Sequence, residues 1–243
     1  MPHKILIVIP CYNEAASIAG VISEIKAMGN VDATACVIND CSGDDTAAVA
    51  KTSGAVVLNL PVNLGIGGAV QAGLIYALRN GYDMAVQVDG DGQHPPAEII
   101  KLINCKEHTG ANVVIGSRFI KGHATFRSTA LRRMGIYCFY LLNKFFTGKS
   151  IYDSTSGFRL FDRKALEIAA NWYPDEYPEP ESLVLFSKAA LTLAEVPVQM
   201  RERQGGVSSI RHFGSLYYML KVTIAMFYSY IRYTKKRIWQ EYS

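Results

Sequence analysis

Five short apolar runs, separated by four longer amphipathic stretches, dominate the first half of the 243-residue sequence and restrict the folds open to it. Ile5–Pro10, Ala35–Asn39, Ala55–Asn59, Met84–Asp89 and Asn112–Gly116 have the length and unbroken apolar character of strands buried on both faces. The segments between them, at about Ala15–Met28, Asp44–Ser53, Gly67–Asn80 and Pro96–His108, have helical spacing. Strands alternating with helices predict an α/β fold, a mostly parallel central sheet with helices on both faces. Such sheets bind ligands beyond the carboxyl ends of their strands. The polar motifs lie there: Pro10-Cys11-Tyr12-Asn13-Glu14, then Asn39-Asp40-Cys41-Ser42-Gly43-Asp44, then Asp89-Gly90-Asp91-Gly92-Gln93-His94-Pro95, then Ser117-Arg118.

The second half is less regular. Leu131–Phe146 reads as a long apolar helix, Gly157–Asp162 as a strand, Glu181–Leu191 as a helix and Leu193–Arg201 as a strand. Gln204–Ser209 reads as a Gly/Ser loop and Phe213–Arg237 as a C-terminal amphipathic helix. The expected division is a domain over residues 1–212 and a helix with a basic tail over 213–243. Hydrophobic residues make up 49% of the chain, enough for a sizeable core, and a net charge of +4 is too mild for nucleic acid as the main partner. Five cysteines, none in CxxC spacing, read as reduced thiols of a cytosolic protein. No signal-peptide pattern opens the sequence. The apolar stretch Leu216–Ile231 is interrupted by Lys221 and is shorter than the roughly 20 residues of a spanning helix. The expectation is a soluble or peripheral protein.

Asp89 and Asp91, separated by one glycine at a strand end, suit a hard divalent cation, Mg²⁺ or Mn²⁺. Few protein ligands leave positions for phosphate oxygens, and the cation can then offset charge on a leaving diphosphate. The same letters could mark a hairpin turn, but Gln93-His94-Pro95-Pro96 opens a helix instead of a second strand. Phosphatases of the haloacid dehalogenase type carry an Asp-x-Asp pair after their first strand, whereas here it follows the fourth. The Gly-rich turn Asn63–Ala69 fails the dinucleotide pattern, since Val70 stands where the last glycine should be.

Taken in order, these motifs resemble glycosyltransferase family 2: the Pro10–Glu14 run, Asn39–Thr46, Asn63-Leu64-Gly65 and Asp89–Pro95. Gly116-Ser117-Arg118, Asp153–Arg159, Glu195-Val196-Pro197 and Arg203–Ser209 are similar to its dolichol-phosphate mannosyltransferase-like branch. The resemblance implies a GT-A fold and inverting transfer from a nucleoside-diphosphate sugar. It implies that Pro10, Tyr12 and Glu14 line the nucleoside pocket, that Asp40 meets the base, and that Asp89 lies near the ribose or diphosphate. It places Asp91 on the metal and Gln93 near metal or donor. Two departures stand out. Asn39-Asp40 replaces the usual Asp-Asp, and Asp175–Glu181 is more acidic and proline-rich than the branch pattern.

The acceptor is read from charge. A lipid phosphate is already anionic and needs cations, for which Arg118, Arg132, Arg133, Arg159, Arg201 and Arg203 are available, with Ser208 beside the last. A hydroxyl acceptor needs a general base, and Asp153, Glu179 and Glu181 are the candidates. Apolar faces on the two long helices, Leu131, Met134, Cys138, Leu141 and Phe145 on one, Leu216, Leu220, Ile224, Phe227 and Ile231 on the other, suit either a core or a membrane surface. Arg232, Lys235, Lys236 and Arg237 follow the second. The expected activity is metal-dependent sugar transfer from a UDP- or GDP-sugar to polyprenyl phosphate at the cytosolic membrane face. The alternatives are transfer to a hydroxyl of a lipid-linked glycan, or a non-catalytic nucleotide-sugar-binding subunit. A membrane-protein partner and self-association stay open.

Overall fold

A computed structural model of the chain describes residues 3–29, 31–120, 130–201 and 214–240. The first four strands are β1 (Ile5–Cys11), β2 (Ala33–Asn39), β3 (Val56–Asn59) and β4 (Met84–Gln87). They alternate with α1 (Ile18–Lys26), α2 (Thr46–Thr52) and α3 (Gly65–Arg79). After β4 come a 3₁₀ turn at Pro96–Glu98, α4 (Ile99–Thr109), β5 (Val113–Ser117) and α5 (Ala130–Thr147). The remainder is β6 (Arg159–Asp162), α6 (Arg163–Trp172), α7 (Pro178–Lys188), β7 (Leu193–Pro197), α8 (Gly214–Arg232) and α9 (Lys235–Gln240).

One seven-stranded sheet has the order β3-β2-β1-β4-β6-β5-β7. It is parallel except at β6, which runs antiparallel to both β4 and β5. The unbroken apolar strands are explained by cover on both sides. Leu6 and Val8 of β1 pack with Leu74 of α3, Leu166 of α6 and Leu185 of α7, while Ile5, Ile7 and Ile9 face Ile18 and Ile22 of α1 and Leu102 of α4. A third cluster joins Phe146 of α5, Val184 of α7, and Val222 and Met226 of α8. Ile238 of α9 returns to the main core, and the Trp239 indole donates to the carbonyl of Ala189. Residue 212, where the sequence suggested a boundary, lies outside the described residues.

Four elements differ from the sequence expectation. The amphipathic helix α6 was unforeseen; Asp162 caps it by accepting from the Ala165 N–H at 3.0 Å. Helix α7 begins at Pro178 rather than at Glu181, because proline suits a first helical turn, where its missing N–H costs nothing. The expected last helix is two helices, and the last strand ends at Pro197 rather than at Arg201.

Candidate active site

A cleft of about 820 Å³ opens at the carboxyl ends of β1, β2 and β4. It gathers Pro10, Tyr12, Glu14, Asp40, Asp89 and Asp91 from the first half of the chain, and Thr155, Gly157 and Glu179 from the second. The loops after β1 and β2 are stitched together by side chains bonded to backbone. Asn13 N–H donates to Ser42 Oγ (3.0 Å), Gly43 N–H to Asn13 Oδ1 (2.9 Å), Glu14 N–H to Thr46 Oγ1 (2.9 Å) and Ala15 N–H to Asp44 Oδ2 (3.1 Å). Asn13 and Cys41 hold φ of 58° and 59°, a left-handed conformation that asparagine tolerates and cysteine rarely adopts.

The Asn39 departure has a structural reason. Its amide donates to Asn59 Oδ1 (2.9 Å) and accepts from Ser42 N–H (3.2 Å), tying β2 to β3 and to its own loop. A carboxylate could not make the donating half of that pair. Asp40 accepts from the N–H groups of Leu64 (2.7 Å) and Gly65 (2.9 Å), so its carboxylate anchors the start of α3 at the cleft wall.

Gly90 lets the β4 loop approach β1. A Cβ there would lie 2.5 Å from Cys11 Sγ and 3.3 Å from the Pro10 carbonyl oxygen. The Ser17 hydroxyl donates to the Gly90 carbonyl at 2.8 Å, fixing the same turn. Asp91 is 4% exposed and accepts from the Gln93 N–H at 3.0 Å. Asp89 is more open. Its own N–H donates to His94 Nδ1 (3.1 Å), which leaves the imidazole proton on Nε2, facing Asp89 Oδ2 at 3.6 Å. His94 is in turn stacked on Phe158, ring centroids 4.9 Å apart. Two carboxylates offer a hard cation oxygen ligands of the right kind, with room in the cleft for phosphate and water oxygens to complete its shell. They fit Mg²⁺ or Mn²⁺. Among the described residues, no group of three or more His, Cys, Asp or Glu side chains could hold a metal by itself.

The other expected site residues are dispersed. Arg118 makes a bidentate pair with Asp153, Nε to Oδ2 and Nη2 to Oδ1 both at 2.8 Å, and its backbone N–H donates to the same carboxylate at 3.0 Å. Asp153 is fully buried as a side chain, and its N–H donates to Glu195 Oε1 at 2.7 Å. Both oxygens of this carboxylate are thus taken up by Arg118. Arg159 corrects the expectation of a phosphate ligand. It is wholly buried and donates to the carbonyls of Ser154 and Ser156 and to Ser182 Oγ. It holds the 154–156 segment and has no face toward a ligand. Arg201 pairs with Glu24 at 2.7 Å, away from the cleft lining.

Glu181 is also parted from the cleft. It lines a second cavity of about 680 Å³ between the 171–177 segment and α8, where it accepts from Ser229 Oγ at 2.7 Å. Glu179, two residues earlier on the same turn, faces the cleft instead. Burial pushes both carboxyls above the ordinary range, against the pull of the Arg159 guanidinium in the case of Glu179. Gln93 is half-buried behind Asp91, and its carbonyl accepts from Arg201 N–H at 2.9 Å. Arg203 and Ser208 lie outside the described residues, as do the side chains of Arg132 and Arg133. The sequence reading passed over His94, whose place directly after the Asp89 motif was the available signal.

Beyond the cleft, Tyr137, Leu141 and Phe145 of α5 and Leu220, Ile224, Phe227, Tyr228 and Ile231 of α8 are exposed, Phe145 to 79%. Among the described residues, no helix is long and apolar enough to cross a membrane.

The family profile of Glycosyl transferase family 2 matches residues 6–168. Polyprenol monophosphomannose synthase of Mycolicibacterium smegmatis is 30% identical over 219 residues, covering 86% of this chain and 81% of the relative. Undecaprenyl-phosphate mannosyltransferase of Micrococcus luteus is 28% identical, covering 85% and 87%. Among solved structures, glucosyl-3-phosphoglycerate synthase from Mycobacterium tuberculosis, in complex with Mn²⁺, UDP and phosphoglyceric acid, superposes with a TM-score of 0.71. It is 22% identical, and the match covers 95% of this chain and 79% of that one. That likeness shows a shared fold.

Proposed function

The chain belongs to glycosyltransferase family 2, in its GT-A fold and its dolichol/polyprenyl-phosphate sugar transferase-like branch, and from that premise we propose a donor, a metal and an acceptor. The donor is a UDP- or GDP-sugar, the cation Mg²⁺ or Mn²⁺, and the acceptor polyprenyl phosphate at the cytosolic face of a membrane. The observation that carries the reading is the convergence of Pro10, Tyr12, Glu14, Asp40, Asp89 and Asp91 in one cleft.

In this reading Tyr12 and the loop anchored by Asp40 enclose the nucleoside. Asp91, held by the Gln93 N–H, and Asp89, held by His94, carry the cation. When bound, the cation offsets charge on the departing diphosphate. Direct attack by an anionic phosphate requires no base, which agrees with an Asp153 already engaged by Arg118. The exposed apolar residues of α5 and α8 support contact with a lipid surface, where the acceptor resides. The assay is transfer to a short-chain polyprenyl phosphate, with thermal-shift screening of nucleotide sugars, each with Mn²⁺ and with chelator. The true donor should raise Tm by mass action, and more so with metal. Full turnover in excess chelator, or no transfer to polyprenyl phosphate, would refute the corresponding part.

One observation favours a second acceptor. Glu179 faces the cleft with its carboxyl pushed above the ordinary range, a condition suited to a general base for a hydroxyl of a lipid-linked glycan. Glu179→Gln should then reduce transfer by about 10²–10⁴-fold, whereas phosphate attack should survive this change.

A further inference from the structure

The acidic, proline-rich segment Asp175–Glu181, where the sequence departs from the branch pattern, walls a cavity that the readings above leave without a task. The cavity, of about 680 Å³, lies between that segment and α8. Asp175, Glu176 and Glu181 stand on one wall, and Lys221 and Arg232 of α8 on the other. Among the described residues, no ion pair joins the two walls. Asp175 and Glu176 are exposed, whereas Glu181 is buried and accepts from Ser229 Oγ at 2.7 Å. Burial pushes the Glu181 carboxyl up, and the carboxylates of Glu176 and Asp175 push it the same way, against the pull of Ser229. A cation beside Glu181 would offset both the burial and the like charges.

An anion is provided for close by. Arg232 follows Ser229 by one turn on the same face of α8. Its guanidinium rests near the rings of Trp172 and Tyr233, 5.9 and 5.6 Å from their centroids, and the residue is exposed. A ligand that is only an anion would meet three carboxylates. A metal ion does not fit, since among the described residues no three acidic side chains are placed to hold one. A ligand bearing both signs matches both walls. The cavity also opens beside apolar surface. Ile224 and Tyr228 line it, are 58% and 63% exposed, and continue along α8 into the exposed Leu220, Phe227 and Ile231. The ligand that suits this place has two opposite charges and an apolar part.

We infer that this cavity takes the head group of a zwitterionic phospholipid with a primary amine, its ammonium at Glu181 and Asp175, its phosphate at Arg232 and its acyl chains along the exposed face of α8. A primary ammonium has three N–H donors to give to carboxylates, and a quaternary ammonium has none. The planar guanidinium of Arg232 matches phosphate oxygens better than the point charge of Lys221 does. The cavity is separate from the donor cleft, so the inference does not depend on which sugar or acceptor the enzyme uses. Such a site selects a bilayer by its lipid composition, which apolar contact alone cannot do.

Co-sedimentation tests this with vesicles of phosphatidylcholine alone, of phosphatidylcholine with phosphatidylethanolamine, and of phosphatidylcholine with phosphatidylglycerol. The wild type should bind the ethanolamine vesicles about tenfold more tightly than pure phosphatidylcholine, the effect of a charged hydrogen bond. Glu181→Gln keeps an acceptor for Ser229 and removes the charge, and Arg232→Gln removes the cation at an exposed position. Each should bring the ratio of ethanolamine to choline binding close to unity. Ethanolamine lipids also alter bilayer packing, but they do so for wild type and variant alike, so the change in that ratio is the measure. Glu181→Gln should leave binding to the phosphatidylglycerol vesicles undiminished, which a general loss of structure would not. Tm is recorded for each protein, and should Glu181→Gln fail to fold, Arg232→Gln decides. A wild type that does not distinguish ethanolamine from choline lipid, or a distinction kept by either folded variant, would overturn the inference.

Discussion

Asp40 carries two loads that can be measured separately. Its carboxylate holds the N–H groups of Leu64 and Gly65, and its position at the cleft wall suits it to a base N–H. Asp40→Ala should lower stability by about 1–3 kcal/mol, the cost of stranding part-buried donors, and should weaken UMP or GMP binding in calorimetry. Lowered Tm with unchanged nucleotide affinity would confine Asp40 to the loop. Asp91→Ala should lower stability by about 1–3 kcal/mol, since it strands the Gln93 N–H, abolish transfer, and remove the Mn²⁺-dependent tightening of nucleoside-diphosphate binding. Retained metal-dependent tightening would deny Asp91 the cation. Glu181 gives a pH test. Burial raises its carboxyl above the ordinary 4.5, so the folded state holds its proton more firmly than the unfolded state. Stability should therefore decline as pH rises from about 4.5 through the raised value, then level off. Glu181→Gln keeps an acceptor for Ser229, and should match wild type near pH 4 yet equal or exceed its Tm at pH 8, in paired thermal melts. At this scale the sequence was most informative where a motif sits at a strand end, as with Asp89 and Asp91. It was least informative where burial decides: nothing in the spelling of Arg118, Arg159 and Arg201 says that one is paired, one enclosed and one remote.

Among the elements, the five early strands were legible because both their faces are covered, which leaves an uninterrupted apolar record. Helix α6 was not, because it starts directly from β6 with Asp162 as its cap, and no turn residues separate the two. Helix α7 hid its beginning behind Pro178-Glu179-Pro180-Glu181, a spelling that suggests a loop. The long apolar helix α8 was legible as a helix, but its partners were not. One face, Val222 and Met226, is buried against α5 and α7, while Leu220, Ile224, Phe227 and Ile231 remain on the surface. If that surface meets lipid, Ile224→Asp and Phe227→Asp together should reduce co-sedimentation with anionic phospholipid vesicles by tenfold or more, each burying less apolar area at about 25 cal/mol per Å². Transfer to a detergent-dispersed short-chain acceptor should be retained. Undiminished vesicle binding would point away from this face.

At the level of the whole molecule, the sheet is two parallel blocks joined by a single reversed strand. β3-β2-β1-β4 is complete by Gln87, and β5 follows soon after, yet the two blocks meet only through β6, which ends at Asp162. Contacts so distant along the chain are slow to form. During synthesis, at roughly 5–20 residues per second, the open side of β4 stays without a neighbour for several seconds, an unpaired edge of the kind that recruits other chains. Pulsed hydrogen exchange during refolding should therefore protect amides of β1 and β2 before those of β5 and β7, with Leu160→Ala delaying only the later set. The loop bearing Asp89 and Asp91 hangs from that seam. Its far wall, Thr155, Gly157 and Glu179, arrives with or after the joining strand. A nascent or half-unfolded chain thus has the cleft wall of Asp40, Asp89 and Asp91 without the wall of Thr155, Gly157 and Glu179, so on the proposed donor reading the chain would touch its ligand from one side before it could enclose it.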